Sequence, residues 1–225
     1  MDDIQDENAP TSLETVERAM DKAAALAGRE NENISLIAIS KTRMAEEILP
    51  LLGEGHRLFG ENRVQEAAEK WPELRAEYSD IELHMVGQLQ SNKADEAIAL
   101  FDVIHSVDRP SLVKALGKAM QKANRSVPCF IQINIGEEEQ KGGCGIADLP
   151  GLLTLCEKHG VPVQGLMCVP PLDLEPSPYF ALLAQKAKVH GLPLLSMGMS
   201  ADFEAAVKIG ATHIRVGSAL FGARN

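Results

Sequence analysis

Short apolar runs alternate with longer amphipathic segments along almost the whole 225-residue chain. Near the start, Thr11-Ser12-Leu13-Glu14 has the form of a capping box, in which a hydroxyl and a carboxylate three positions on satisfy the free N–H groups of a helix. Leu13, Val16, Met20, Ala23 and Ala27 then recur at the spacing of one helix face. Eight strand-like runs follow: Ile34–Ser40, Arg57–Phe59, Glu82–Val86, Val103–Ser106, Cys129–Asn134, Val163–Met167, Pro193–Ser196 and His213–Val216. Several are rich in Ile, Val and Leu without two-residue alternation, as expected of strands covered on both faces.

Helical stripes lie between them. Ile48, Leu49, Leu51 and Leu52 form one, and Val64, Ala67, Ala68 and Trp71 another, which Pro72 is expected to stop. Leu112, Ala115, Leu116 and Ala119 form a third, with Pro110 in its first turn; Ala205, Ala206 and Ile209 form the last, ended by Gly210. Strand, helix, strand repeated in this way implies parallel pairing with right-handed crossovers. Eight such units in about 200 residues match a compact, TIM-type (β/α)8 barrel, here with an extra N-terminal helix. An open doubly wound sheet is the competitor, but no G-x-G-x-x-G follows any strand. Nothing divides the chain internally, so residues 1–10 are expected to be an acidic flexible tail and residues 11–225 one barrel domain.

Composition narrows the function classes. Hydrophobic residues make up 45% of the chain and charged ones 24%, which suits a globular domain. The longest near-uncharged run, Val161 to Leu172, is interrupted by prolines and a glycine and is too short to span a bilayer. Met1 to Asn8 is acidic, unlike a secretory signal. The formal net charge of −10 argues against a broad nucleic-acid or anionic-membrane surface. Cys129, Cys144, Cys156 and Cys168 lack C-x-x-C spacing, so free thiols in a reducing compartment are expected rather than a zinc site. A cytoplasmic, monomeric protein is the expectation.

In a barrel of this kind the chemistry lies beyond the C-terminal ends of the strands. Lys41 immediately follows the first apolar run. Desolvation there would lower its pKa, and a neutral amine can attack a carbonyl to give a Schiff base; equally, the side chain could reach solvent or pair with Glu46 or Glu61. The loops after the seventh and eighth runs read Gly198-Met199-Ser200 and Gly217-Ser218-Ala219. Ser200 has the position of an N-cap for a helix starting at Ala201, and Gly217 to Phe221 could form a short extra helix whose N–H groups face an anion. Ordinary caps and turns would use the same residues. A Schiff-base lysine and a phosphate cradle on one rim fit a phosphorylated aldehyde: pyridoxal 5′-phosphate, or a sugar phosphate. Arg215 lies two residues before Gly217; pointing into the mouth, it could donate to a pyridine nitrogen and disfavour that nitrogen's protonation, or else contact phosphate.

These residues sit in stretches that resemble the pyridoxal phosphate homeostasis protein family, whose barrel is similar to that of alanine racemase. The stretches are Ala38–Thr42, Phe59–Glu66, His84–Lys93, Ile104–Asp108, Gly165–Pro171, Leu195–Ser200 and Arg215–Arg224, in the family's order. The resemblance implies Lys41 as the Schiff-base lysine, and Ser200, Gly217 and Ser218 as phosphate ligands with Met199 beside them. It also implies Arg215 at the pyridine nitrogen and Asn62 near the ring. Arg63 stands where a Tyr is common, and Leu172 to Pro178 looks shorter than in many relatives. Lys141, in a loop that reads as mobile, resembles a family lysine with a secondary role, although a solvated charge run explains it too. His84 is as well explained as a packing histidine.

An alanine-racemase-type reaction uses a base on each face of the cofactor, and the opposing Tyr comes from a second domain. The sequence has only Tyr78 and Tyr179, both away from strand ends. The expectation is therefore a protein that holds, buffers and delivers pyridoxal 5′-phosphate, with apo-forms of the enzymes that use it as partners. A racemase or decarboxylase is the alternative, and a Schiff-base aldolase the third.

Overall fold

The computed structural model describes residues 12–30 and 34–222. The acidic tail expected at residues 1–10 lies outside these described residues. Eight strands close into one all-parallel barrel in chain order. They are β1 (Ser35–Ile39), β2 (Leu58–Glu61), β3 (Glu82–Met85), β4 (Val103–Val107), β5 (Cys129–Ile133), β6 (Val163–Cys168), β7 (Leu194–Met199) and β8 (His213–Val216). Closure comes from β1 against β8, with Ser35 opposite His213 and Ala38 opposite Val216. Strands β4 and β5 are buried at every position, which is why no alternation marks them in the sequence.

The helices are α1 (Ser12–Leu26), α2 (Ala45–Gly53), α3 (Val64–Glu77), α4 (Ala94–Leu100), α5 (Pro110–Ala123), α6 (Leu149–Lys158), α7 (Ser177–Val189), α8 (Phe203–Ile209) and α9 (Ser218–Phe221). The extra N-terminal helix packs against α8 and α9, and Ser12 Oγ donates to Leu220 O at 2.9 Å. One expectation fails: α3 does not stop at Pro72 but runs on to Glu77. Proline lacks only one N–H, and the buried side chains of Trp71 and Leu74 on either side offset that loss. Among the described residues no helix is long and apolar enough to cross a membrane. The four cysteines are buried free thiols, each pushed up by desolvation.

Candidate cofactor site at the barrel mouth

Strand direction brings the C-terminal ends of β1, β2, β7 and β8 to one rim, where a cavity of about 580 Å³ opens. All seven sequence-singled residues, Lys41, Asn62, Met199, Ser200, Arg215, Gly217 and Ser218, line it. Ile39, Val86 and Val169 form its apolar wall.

Lys41 sits in a turn with an unusual backbone. Thr42, the next residue, has φ 63°, a left-handed conformation that is rare for a β-branched residue. Two side chains hold it there. The Thr42 N–H donates to Glu66 Oε1, and Lys70 Nζ donates to Ser40 O at 2.8 Å and Arg43 O at 3.0 Å, bracketing Lys41. Lys70 in turn lies 2.6 Å from Glu61 Oε1. That oxygen also accepts from Ser40 Oγ at 2.8 Å and Trp71 Nε1 at 3.1 Å. Glu61 is fully buried, and desolvation raises its pKa while Lys70, Ser40 and Trp71 pull the other way. Glu61 therefore pairs with Lys70, not with Lys41.

Asn62 is placed by a close approach. A Cβ on Gly87 would lie 2.2 Å from Asn62 O, so only glycine lets the end of β3 pass the Asn62 backbone. On the far wall, Gly198 adopts φ 95° where the β7–β8 register shifts between Ser196 and Met199, and a Cβ there would lie 2.6 Å from Ala206 Cβ. This kink turns Met199 and Ser200 into the cavity.

Ser200 is not the N-cap expected of it. Helix α8 begins at Phe203, with Asp202 before it, and Asp202 Oδ1 accepts from the Met199 N–H. That turn frees the Ser200 hydroxyl to face α9, where its Oγ accepts from the N–H groups of Gly217 at 3.2 Å and Ala219 at 3.4 Å. The two loops are thus tied together at the spot where an anion would be met by N–H and hydroxyl donors. A Cβ on Gly217 would meet Ile39 at 3.5 Å, an ordinary contact, so packing against β1 does not itself demand glycine there.

Arg215 forms the floor. It is 5% exposed, its Nη1 donates to Ser196 Oγ at 2.6 Å and its Nη2 to Cys168 O at 2.9 Å. Burial lowers its pKa, yet a guanidinium starts so high that it stays charged. Arg43 was not singled out by sequence. It lines the same cavity, donates to Glu47 Oε1 at 2.8 Å and to Gly222 O at 2.7 Å, and so ties the Lys41 loop to α9. Its position two residues after Lys41 was the available signal.

Lys141 does not sit on a free loop: its Nζ donates to Pro170 O at 2.8 Å and lies 2.6 Å from Glu138 Oε2. The loop is pinned at its ends, with Asn134 N donating to Cys144 O and Cys144 N to Gln132 O. Neither Tyr78 nor Tyr179 lines the cavity.

Known proteins resemble this chain in sequence and in fold. The family model for the alanine racemase N-terminal domain matches residues 12–225. A pyridoxal phosphate homeostasis protein of Aquifex aeolicus is 38% identical over 96% of this chain and 99% of its own length. The chain belongs to the pyridoxal phosphate homeostasis protein family. A second such protein, from Pseudomonas aeruginosa, is 37% identical over 91% of this chain and 90% of its own. PipY of Synechococcus elongatus, solved with pyridoxal phosphate bound, is 37% identical and superposes with a TM-score of 0.75, covering 91% of this chain and all of PipY. Alanine racemase of Clostridium difficile superposes at a TM-score of 0.69 but is only 12% identical, and 56% of it is covered, so it shows the barrel alone. Within the homeostasis protein family, then, this barrel carries its polar cavity at the usual working face of the fold.

Proposed function

We propose that the cavity binds pyridoxal 5′-phosphate and that the protein holds, buffers and delivers it without catalytic turnover. One observation carries the reading: Lys41, Ser200, buried Arg215, Gly217 and Ser218, drawn from three separate βα turns, line a single cavity in a chain 37% identical to a protein solved with that cofactor. Ser200, Gly217 and Ser218 take the phosphate, the Gly217 N–H turning to it from the Ser200 oxygen that it otherwise meets. The N–H groups of Arg215 not spent on Ser196 and Cys168 face the ring nitrogen, and Asn62 and Met199 lie beside the ring. The cofactor's aldehyde supplies an electrophilic carbon, and the Lys41 amine is the nucleophile placed to join it.

The non-catalytic half of the reading rests on the lining. Among the described residues that line the cavity, the ionisable side chains are Lys41, Arg43 and Arg215, and only a lysine can act as a base near neutral pH. Both arginines favour anions, and neither removes a proton. A fixed cation at the ring nitrogen opposes its protonation, which weakens the ring as an electron sink. Cytoplasmic apo-forms of enzymes that use the cofactor are the partners, met by a monomer.

Two measurements test this. Titrating the protein with pyridoxal 5′-phosphate should produce a visible absorption band; a solution that stays colourless refutes binding. Incubating the loaded protein with L-alanine should give no sustained racemization; turnover of roughly 1 s⁻¹ or faster, within the ordinary enzyme range, refutes the carrier reading.

A further inference from the structure

The barrel interior beneath Arg215 is not a purely apolar core. Two fully buried histidines, His84 on β3 and His105 on β4, lie in it, and no step at the cavity uses them. His105 Nδ1 is 2.8 Å from Ser196 Oγ on the opposite side of the barrel, the same oxygen that accepts from Arg215. His105 Nε2 is 2.9 Å from His84 Nδ1. His84 Nε2 lies 3.1 Å from Glu82 Oε1, at the start of β3 on the barrel's other end, a close approach whose angle falls short of an aligned hydrogen bond.

The direction of each bond follows from donor and acceptor counts. A guanidinium only donates, so Ser196 Oγ accepts from Arg215. The serine's own proton then needs an acceptor, and His105 Nδ1 is the one within reach. A neutral imidazole with Nδ1 accepting carries its proton on Nε2. That proton goes to His84 Nδ1, which leaves the His84 proton on Nε2, beside the Glu82 carboxylate. Any reversal would place two protons face to face, or leave a buried hydroxyl without an acceptor.

We propose that Ser196, His105 and His84 form a one-directional hydrogen-bond chain, anchored at Glu82, that positions Arg215 toward the cavity. The chain commits the serine's proton inward and leaves its lone pair for the guanidinium. It needs His105 neutral, and the surroundings enforce that. Ser196 faces it from β7, Phe130 from β5 stacks on its ring at 4.3 Å, and His84, His213 and Arg215 bring further potential cations. Burial, first, and then His84, His213 and Arg215 all disfavour a second proton on it. Arg215 cannot surrender a proton, so the chain fixes orientation and does not conduct. That Arg215 serves a bound cofactor rests on the function proposed above; the bond directions do not.

The test has two arms. In protein labelled with ¹⁵N-histidine and given no ligand, long-range ¹⁵N–¹H correlation spectra should show His105 neutral, with its proton on Nε2, from about pH 6 to pH 8. A proton on His105 Nδ1, or a doubly protonated His105, overturns the proposal. In the second arm, Ser196→Ala removes the link while Cys168 O still holds Nη2. The protein is titrated with pyridoxal 5′-phosphate and the pH dependence of its visible band is followed. A titration constant displaced at least roughly threefold (about half a pH unit) from wild type is expected, with His105→Leu moving it in the same sense. Curves superimposable on wild type in both folded variants overturn it. A wild-type protein that develops no band counts against the cofactor reading, and the histidine spectra then decide the chain.

Discussion

Replacing Lys70 with methionine removes the cation from the network behind Lys41. Lys70 is 8% exposed and Glu61 fully buried, with 2.6 Å between Nζ and Oε1. Breaking a buried pair from one side costs about 3–5 kcal/mol, because the other charge stays behind. Glu61 Oε1 keeps its bonds from Ser40 and Trp71, which places the loss near the lower end, about 3 kcal/mol. The pH dependence has a definite sign. Burial already raises the Glu61 pKa, and loss of Lys70, which opposes that rise, raises it further. A carboxyl whose folded pKa lies above its unfolded value costs stability once ionised, and the cost fades as pH falls toward about 4.5. Urea midpoints of Lys70→Met should therefore lie further below wild type at pH 8 than at pH 5. The double variant Lys70→Met/Glu61→Gln should regain at least half of the loss, since an amide still accepts from Trp71 and Ser40 without a charge. A loss under about 1 kcal/mol at pH 8, or a double variant no more stable than the single one, would mean that Glu61 is not the uncompensated charge.

Gly198→Ala forces a side chain onto φ 95° and to 2.6 Å from Ala206 Cβ, so thermal unfolding should show a loss of about 2 kcal/mol or more; an unchanged midpoint contradicts the kink at β7. Desolvation depresses the pKa of both His213, to about 4, and His105, so the unfolded chain takes up protons first as pH falls below about 6.5. Stability should thus drop between about pH 6.5 and pH 4, by up to about 3 kcal/mol from His213, and His213→Phe should flatten the profile. Arg215→Ala removes a charged donor from the cavity floor and should weaken pyridoxal 5′-phosphate binding roughly ten- to hundredfold, read by fluorescence titration; wild-type affinity would exclude the guanidinium from the site.

The barrel was legible because its strands announce themselves. The runs around β1 and β5 are too apolar for a surface strand and too short for a membrane span, and the repetition of such runs with amphipathic gaps admits few topologies. The cavity residues were legible for a related reason: strand order places every βα turn on one rim, so Lys41, Ser200 and Gly217 could be brought together without coordinates. Interactions between distant positions were not legible. Lys70 reads as an ordinary solvent-facing charge on α3, yet it is buried against Glu61 and caps the Lys41 turn. Ser200 carried the pattern of a cap, but Asp202 two residues later took the neighbouring N–H and released it. Pro72 has the signature of a helix stop, which the burial of Trp71 overrode. The histidine chain crosses from β8 to β7, β4 and β3, a set of partners that no local spacing encodes.

Borohydride reduction of the protein loaded with pyridoxal 5′-phosphate, followed by peptide mapping, asks which amine is joined to the cofactor. The geometry at the end of β1 predicts a single modified residue, Lys41, and no stable adduct in Lys41→Ala. Label on Lys93 or Lys141 with Lys41 spared would place the cofactor elsewhere and contradict the site described for this barrel.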